Sequence, residues 1–203
     1  MAKKLNPNSV LVLCEGETEL EFYKMIFEKF VSPTKIRRNY SNLKGVYSLN
    51  DKVRSKIESY LQNSASNTCN NIHVYIAYDR EGTKETESLL DIIGLQKAFL
   101  HNNSRIKSIN EIIATQDLES WFFHDLEGIY KFLKVPVAKR NMSLFKNTEL
   151  TNNRILSAFF YKHNKLYIKG KKVKGFLSAF DFNKIYSKTQ ELKIAVESIK
   201  KLC

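Results

Sequence analysis

Apolar runs that end in acidic residues mark the first half of the chain. Residues 10–14 form one such run, followed by Glu15, and residues 72–78 form a second, followed by Asp79 and Glu81. Short uninterrupted apolar runs are typical of strands that are buried on both faces, as in parallel sheets. Each run therefore predicts a buried strand that presents carboxylates at its carboxyl end.

Segments with apolar residues at helical spacing alternate with these strands. The first begins after Gly16, where Thr18 and Glu21 have the spacing of a capping box, and Asp117 stands where an N-cap would begin a later helix. The remaining patterns predict helices over 50–61 and 86–99 and strands over 35–40 and 108–114. Strand–helix alternation of this kind predicts an α/β fold with a mostly parallel sheet flanked by helices.

Pattern and charge divide the chain into two predicted parts. Residues 1–134 carry the alternation and are predicted to form the α/β core. Residues 135–203 begin with a polar connection and are predicted to form a basic, mainly helical extension packed on that core, with helices over 154–160, 173–180 and 190–202. Residues 151–203 hold twelve Lys and Arg against three Asp and Glu, a net charge of +9, whereas residues 1–150 hold 21 against 18.

The overall charge and the cysteines limit the classes of partner and compartment. A net charge of +12 and a pI near 9.5 indicate a polyanionic partner, either nucleic acid or an anionic membrane surface, with a solvated basic surface as the alternative. The sequence shows neither an apolar signal core nor a segment of transmembrane length, so no membrane association is expected. The three cysteines are far apart and lack metal-ligand spacing, which favours a reducing cytoplasm.

The two acidic turns predict a metal site. The carboxyl ends of parallel strands share one edge of a sheet, so Glu15, Asp79 and Glu81 are expected to meet there. Carboxylates that converge repel each other unless a cation joins them, and oxygen ligands favour Mg²⁺ or Mn²⁺. The alternative is that these residues only terminate strands in turns. Glu119 is a further candidate in the first turn of a helix, where the positive helix end would also suit it.

Two motifs resemble a known family. The turn Glu15-Gly16-x-Thr18-Glu19 and the later turn Asp79-x-Glu81 resemble those of Toprim domains, the family of topoisomerases, primases and Old-type nucleases. The sequence departs from that pattern at Glu81, where the family has Asp, and the longer side chain would shift the metal.

A second pair of motifs narrows the resemblance. Glu119-Ser120-Trp121 and the basic segment that begins at Lys169-Gly170 are similar to motifs of small stand-alone Toprim-like proteins from bacterial anti-phage islands, including the RloB-like ones. The similarity spans residues 10–182. Trp121 itself is expected to be a core residue rather than a platform for stacking bases.

The resemblance implies a metal-dependent nuclease that cleaves DNA or structured RNA, as an effector of anti-phage defence. The implied metal ligands are Glu15, Glu19, Asp79, Glu81 and Glu119. Lys169 and Lys174 would stabilise the transition state, and the implied phosphate contacts are Lys169, Lys171, Lys172 and Lys174, unless that segment is only a charged loop. The alternatives are a nucleic-acid-binding protein without chemistry and an interaction subunit of a multi-gene system with a partner ATPase.

Overall fold

The computed structural model describes residues 8–32, 36–63, 69–80 and 89–203 of the chain. Four strands lie in this part: β1 (Asn8–Cys14), β2 (Arg37–Asn42), β3 (Asn71–Asp79) and β4 (Ile106–Ala114). The helices between and directly after them are α1 (Glu17–Phe30), α2 (Leu49–Gln62), α3 (Ile92–Leu100), α4 (Leu118–Phe122) and α5 (Leu126–Phe132).

The described strands form one sheet in the order β2-β1-β3-β4, and each neighbouring pair is parallel. The predicted α/β class, a parallel sheet flanked by helices, is confirmed. The apolar strands β1 and β3 occupy the centre, whereas β2, with the polar sequence RRNYSN, takes an edge. The register places Cys14 beside Ala77, and Asp79 beside Ala114. The residues that follow β1, β3 and β4 therefore emerge at one edge of the sheet.

The chain beyond α5 is helical. Its helices are α6 (Asn153–Lys162), α7 (Lys174–Leu177), α8 (Phe182–Lys188) and α9 (Gln190–Lys200). Short 3₁₀ turns connect the elements at Phe123–Asp125, Val137–Lys139, Thr148–Leu150 and Gly170–Val173. The helix predicted over 173–180 is only partly formed, because the chain runs from a 3₁₀ turn into the four-residue helix α7. The sequence analysis did not anticipate α8.

Each face of the sheet is covered by its own apolar cluster. One cluster packs α2 and α3 on the sheet, and the other packs α1, α4, α5 and the later helices on the opposite face. Aromatic rings join the two ends of the chain in the second cluster: the ring centroid of Phe22 in α1 lies 6.1 Å from that of Trp121 and 5.9 Å from that of Phe182. Trp121 is buried, as expected for a core residue.

The helix starts are only partly as predicted. Asp117 is the N-cap of α4 and accepts a hydrogen bond from Ser120 N at 3.0 Å, as predicted. The predicted capping box of α1 is wrong, because Gly16 is the N-cap and no side chain caps this helix. Among the described residues, α3 begins only after Asp91, and the first residues of the helix predicted over 86–99 lie outside them. No helix in the described ranges is both long and apolar enough to span a membrane.

Candidate active site

Hydrogen bonds tie the ends of β1, β3 and α4 together at the sheet edge. Asp79 N donates to Glu15 Oε2 at 2.9 Å, so the side chain after β1 holds the last residue of β3. Leu118 N at the start of α4 donates to Asp79 Oδ1 at 3.0 Å. These contacts border a cleft of about 390 Å³, here called the acidic cleft, whose lining residues are Glu15, Gly16, Glu17, Thr18, Glu19, Asp79, Lys169 and Gly170.

Gly16 lets the Glu19 carboxylate fold back over the turn after β1. A Cβ atom at position 16 would lie 2.7 Å from Glu19 Oε2, so this carboxylate would have to move if position 16 carried a side chain. Glu19 is buried although it carries a carboxylate. The glycine of this turn therefore serves a close approach between the backbone and an acidic side chain.

Glu119 is the most deeply buried carboxylate of the site, at 0 % exposure. Its Oε1 accepts hydrogen bonds from the Tyr167 hydroxyl at 2.9 Å and from Lys169 Nζ at 3.1 Å. Its Oε2 is buried and has no hydrogen-bond partner among the described residues. A buried polar atom without a partner costs about 1–3 kcal/mol, so this oxygen is a candidate ligand for a group that the described residues do not supply.

The segment around Lys169 closes the cleft from the far end of the sequence. Gly170 N donates to Thr18 Oγ1 at 2.9 Å, which links the 3₁₀ turn at Gly170–Val173 to α1. Gly170 has a φ of +84°, a conformation that residues with a side chain rarely adopt. The Lys169 side chain is half exposed, so its ammonium group both contacts Glu119 and borders the cleft.

The carboxylates of the site disfavour one another's charge. Burial and the nearby carboxylates of Glu19 and Glu119 raise the pKa of Asp79 to about 9. Burial, together with Glu119 and Glu15, raises the pKa of Glu19 to about 7, although its own backbone amide opposes the shift. Burial also disfavours the charge of Lys169, but the neighbouring carboxylates raise its pKa above the ordinary value. Without a bound cation, these shifts favour the protonated form of Asp79 at neutral pH.

The structure brings most of the proposed site residues together. Glu15, Glu19, Asp79, Glu119 and Lys169 meet at the sheet edge, where contacts and charge interactions join them.

The other proposed residues lie elsewhere. Lys174 begins α7 as an exposed residue, and Lys172 is exposed in the preceding turn; within the described chain, neither lines the acidic cleft. Glu81 and the side chain of Lys171 lie outside the described residues.

Three contacts of the site were not expected from the sequence. Tyr167 holds Glu119, Thr18 accepts from Gly170 N, and Asp117 accepts from Asn153 N through Oδ2 at 2.6 Å in addition to capping α4. Asp117 thereby fixes the start of α6 beside α4. Burial raises the pKa of Asp117 to about 6, against the effect of these hydrogen bonds. No local pattern signals such contacts, because the partners are far apart along the chain.

The donor set suits a hard dication, although no complete ligand group is formed in the described ranges. Within them, no three His, Cys, Asp or Glu side chains have the arrangement of a metal site. One carboxylate oxygen of each of three side chains already contacts a donor group of the chain, namely in Glu15, Asp79 and Glu119. A bound Mg²⁺ or Mn²⁺ would coordinate the Oε2 atom of Glu119, which lacks a partner in the described ranges. It would also lower the raised pKa values of Glu19 and Asp79 by favouring their charged forms.

Comparisons with protein-family models, with curated proteins and with solved structures found no match to this chain. The resemblance to Toprim domains stays a prediction that rests on the motifs and on their order along the sequence.

Proposed function

We infer that the chain is a divalent-metal-dependent nuclease that hydrolyses phosphodiester bonds of DNA or structured RNA, as an effector of anti-phage defence. The observation that carries this proposal is the buried cluster of Glu19, Asp79 and Glu119 beside one lysine, with a carboxylate oxygen left without a partner in the described chain. Perturbed carboxylates at the carboxyl edge of a parallel sheet are features of catalytic sites.

The residues proposed to hold Mg²⁺ or Mn²⁺ are Glu15, Glu19, Asp79 and Glu119, with Glu81 as a further ligand predicted from the sequence. A bound dication would neutralise phosphoryl charge and lower the pKa of a water molecule. The all-oxygen donor set agrees with either ion, since both prefer carboxylate ligands.

The chain's own groups supply the remaining functions. Lys169 presents a positive charge at the cleft, where it would stabilise negative charge on a phosphate. Tyr167 holds Glu119 in place through its hydroxyl group. Lys172 and Lys174 are exposed on the adjoining turn and would contact the nucleic-acid backbone without reading its sequence.

The first test is metal binding and cleavage in matched variants. We expect Mn²⁺ to raise the melting temperature of the wild-type chain by several degrees, because a ligand that binds only the folded state stabilises it. Glu15→Gln and Asp79→Asn should reduce this shift and lower nuclease activity by at least about 100-fold. Glu58→Gln on the exposed face of α2 is the matched control and should behave as wild type. Equal metal-dependent cleavage in both site variants would refute the assignment.

A second function is favoured by one specific contact. The Lys169–Glu119 ion pair already neutralises part of the acidic cluster, which suits a nucleic-acid-binding protein without chemistry. Binding that falls steeply with salt, together with no effect of Mn²⁺ on melting or cleavage, would favour this alternative. An interaction subunit with a partner ATPase stays a prediction from the resemblance. A cytoplasmic location is part of both proposals, and the buried free thiol of Cys14 agrees with it.

A further inference from the structure

A second and larger pocket opens at the same sheet edge as the acidic cleft. This pocket, here called the polar pocket, has a volume of about 600 Å³, which lies within the range of about 300–1,000 Å³ of small-molecule sites. Its walls include the turn after β4 with Gln116, helix α4 with Ser120, and the junction of α8 and α9 with Thr189, and the 3₁₀ turns at Phe123–Asp125 and Thr148–Leu150 complete them.

An unsatisfied hydroxyl group belongs to the lining of this pocket. Thr189 is 2 % exposed, and within the described chain its Oγ1 has no hydrogen-bond partner. Thr189 is also the N-cap of α9, yet its side chain does not cap that helix. A buried hydroxyl group in this state is expected to gain a partner when a polar ligand enters.

The charges of the polar pocket nearly cancel. Lys188 and Glu191 contribute opposite charges to the lining, and burial with the nearby Lys188 lowers the pKa of His124, which keeps this ring neutral at physiological pH. The balance disfavours an isolated phosphate group as the occupant. It suits a neutral ligand that both donates and accepts hydrogen bonds.

The remaining lining groups match the edges and the face of a nucleobase. The amides of Gln116 and Gln190 can each donate and accept, and the carboxylate of Glu191 can accept from an exocyclic amine. Trp121 and Leu150 add apolar surface to the same lining. A flat heterocycle with polar edges uses all of these groups.

The position of the polar pocket connects it to the proposed chemistry. Asp79 lies beside Ala114 in the sheet, and Thr115, the next residue, lines the pocket. Glu119 and Ser120 are adjacent in α4, with Glu119 contacting Lys169 of the acidic cleft and Ser120 lining the pocket. A nucleotide whose base enters the pocket would therefore place its backbone near the acidic cleft.

We propose that the polar pocket binds one unstacked nucleobase of the substrate strand. The proposal rests on the nuclease function and specifies its substrate class. A base that leaves the stack is available in single strands and in the loops of structured RNA, whereas a continuous duplex keeps its bases paired. The preferred substrates are therefore single-stranded or looped nucleic acids.

The chain carries its own probe for this pocket, because Trp121 is its single tryptophan. Nucleoside monophosphates and short single-stranded oligonucleotides, added without divalent ions, should quench its fluorescence to saturation. Replacing both Gln116→Ala and Gln190→Ala should raise the apparent Kd at least about tenfold, whereas Gln62→Ala at the exposed end of α2 should leave it unchanged. Circular dichroism checks that each variant is folded.

The outcomes separate this proposal from the nuclease function. The Asp79→Asn variant should not cleave nucleic acid but should show the same quenching as wild type. Because quenching is measured without divalent ions, it tests base binding even if no nuclease activity is found. No saturable quenching, or equal quenching in the double variant, would overturn the pocket assignment. If a blunt duplex binds as tightly as single strands, the proposal that the pocket binds an unstacked base is wrong. If single strands cannot displace bound mononucleotides, the pocket binds a free nucleotide instead. The proposal that it binds a base of the substrate strand is then wrong.

Discussion

At the scale of single residues, the site combines groups whose charges are costly in the folded state. Asp79 and Glu19 are buried beside other carboxylates, and Glu119 leaves Oε2 without a partner within the described ranges. Burial without full compensation destabilises a protein and is retained where function requires it. The acidic cleft therefore costs folding stability that a bound cation would restore.

The substitution Asp79→Asn is expected to stabilise the chain in the absence of divalent ions. The pKa of Asp79 is about 9 in the folded state against about 3.9 in the unfolded state, so the folded state binds more protons and loses stability as the pH rises through this window. Asparagine cannot become charged, so it removes this loss, and its side-chain oxygen can still accept the hydrogen bond from Leu118 N. We expect a gain of about 1–3 kcal/mol in the free energy of unfolding at pH 8, and a smaller gain at pH 5.

Urea unfolding at the two pH values measures this effect. Asp51→Asn, on an exposed position in the first turn of α2, is the matched control and should give no gain. A variant at position 79 that is less stable than wild type at pH 8 would contradict the assigned burial penalty.

Single residues were predicted from the sequence where their signal is local. Glu15 and Asp79 follow short apolar runs of the kind typical of buried strands, and Asp117 precedes a helical pattern by one residue. The proton-donating contact of Tyr167 with Glu119 joins positions 48 residues apart, and no spacing rule connects such partners. The carboxylates and Lys169 were thus predicted from the sequence, whereas the contact of Tyr167 with Glu119 was not.

At the scale of elements, the 3₁₀ turn at Gly170–Val173 decides where Lys169 lies. The turn is attached to α1 through Thr18 and Gly170, whose positions are 152 residues apart. A capping box was predicted for Thr18 because Glu21 follows it at the required spacing of three residues. Instead, the hydroxyl oxygen of Thr18 accepts a hydrogen bond from the backbone N–H of Gly170. This tertiary contact overrides the local pattern.

The substitution Gly170→Ala tests this attachment. A side chain at a φ of +84° is strained, and we expect a loss of about 1–2 kcal/mol in the free energy of unfolding, measured by urea titration. Gly175→Ala is the matched control, since a Cβ atom there meets no atom within 4 Å and the residue lies in α7. The control should be neutral or slightly stabilising. Equal effects of both substitutions would contradict the role of the left-handed conformation.

Element prediction succeeded for the sheet and was incomplete for the later helices. The strands β1 and β3 have continuous apolar runs, and α2 and α9 have clear helical spacing. Short elements such as α7 and the 3₁₀ turns give too few residues for a periodic signal. Their conformation follows from packing against α1 and α4 rather than from local propensity.

At the scale of the whole molecule, the excess positive charge lies in the last quarter of the sequence, with +9 of the total +12 in residues 151–203. Nucleic-acid binding through such a surface releases counterions and weakens as the salt concentration rises. The exposed residues Lys172 and Lys174 adjoin the turn that carries Lys169. Two exposed lysines therefore follow within five residues of Lys169, which borders the acidic cleft.

Replacing Lys172 and Lys174 together by glutamine should lower the slope of log K against log salt by about two. Fluorescence anisotropy of a labelled oligonucleotide at several salt concentrations measures the slope. The paired control replaces Lys56 and Lys107 by glutamine, on α2 and β4, and should leave the slope unchanged. An equal change in both pairs would show that binding responds to total charge and not to this surface.

The attachment of Gly170 to Thr18 also has a consequence for synthesis of the chain. Translation proceeds from the amino end, so Glu15, Asp79 and Glu119 are all made long before Lys169. A nascent polypeptide that stalls before residue 169 carries the carboxylates without the lysine and without the wall that the Gly170–Val173 turn provides. The ribosome must pass this turn before the cleft can close, and an unfinished chain is therefore expected to lack the closed cleft.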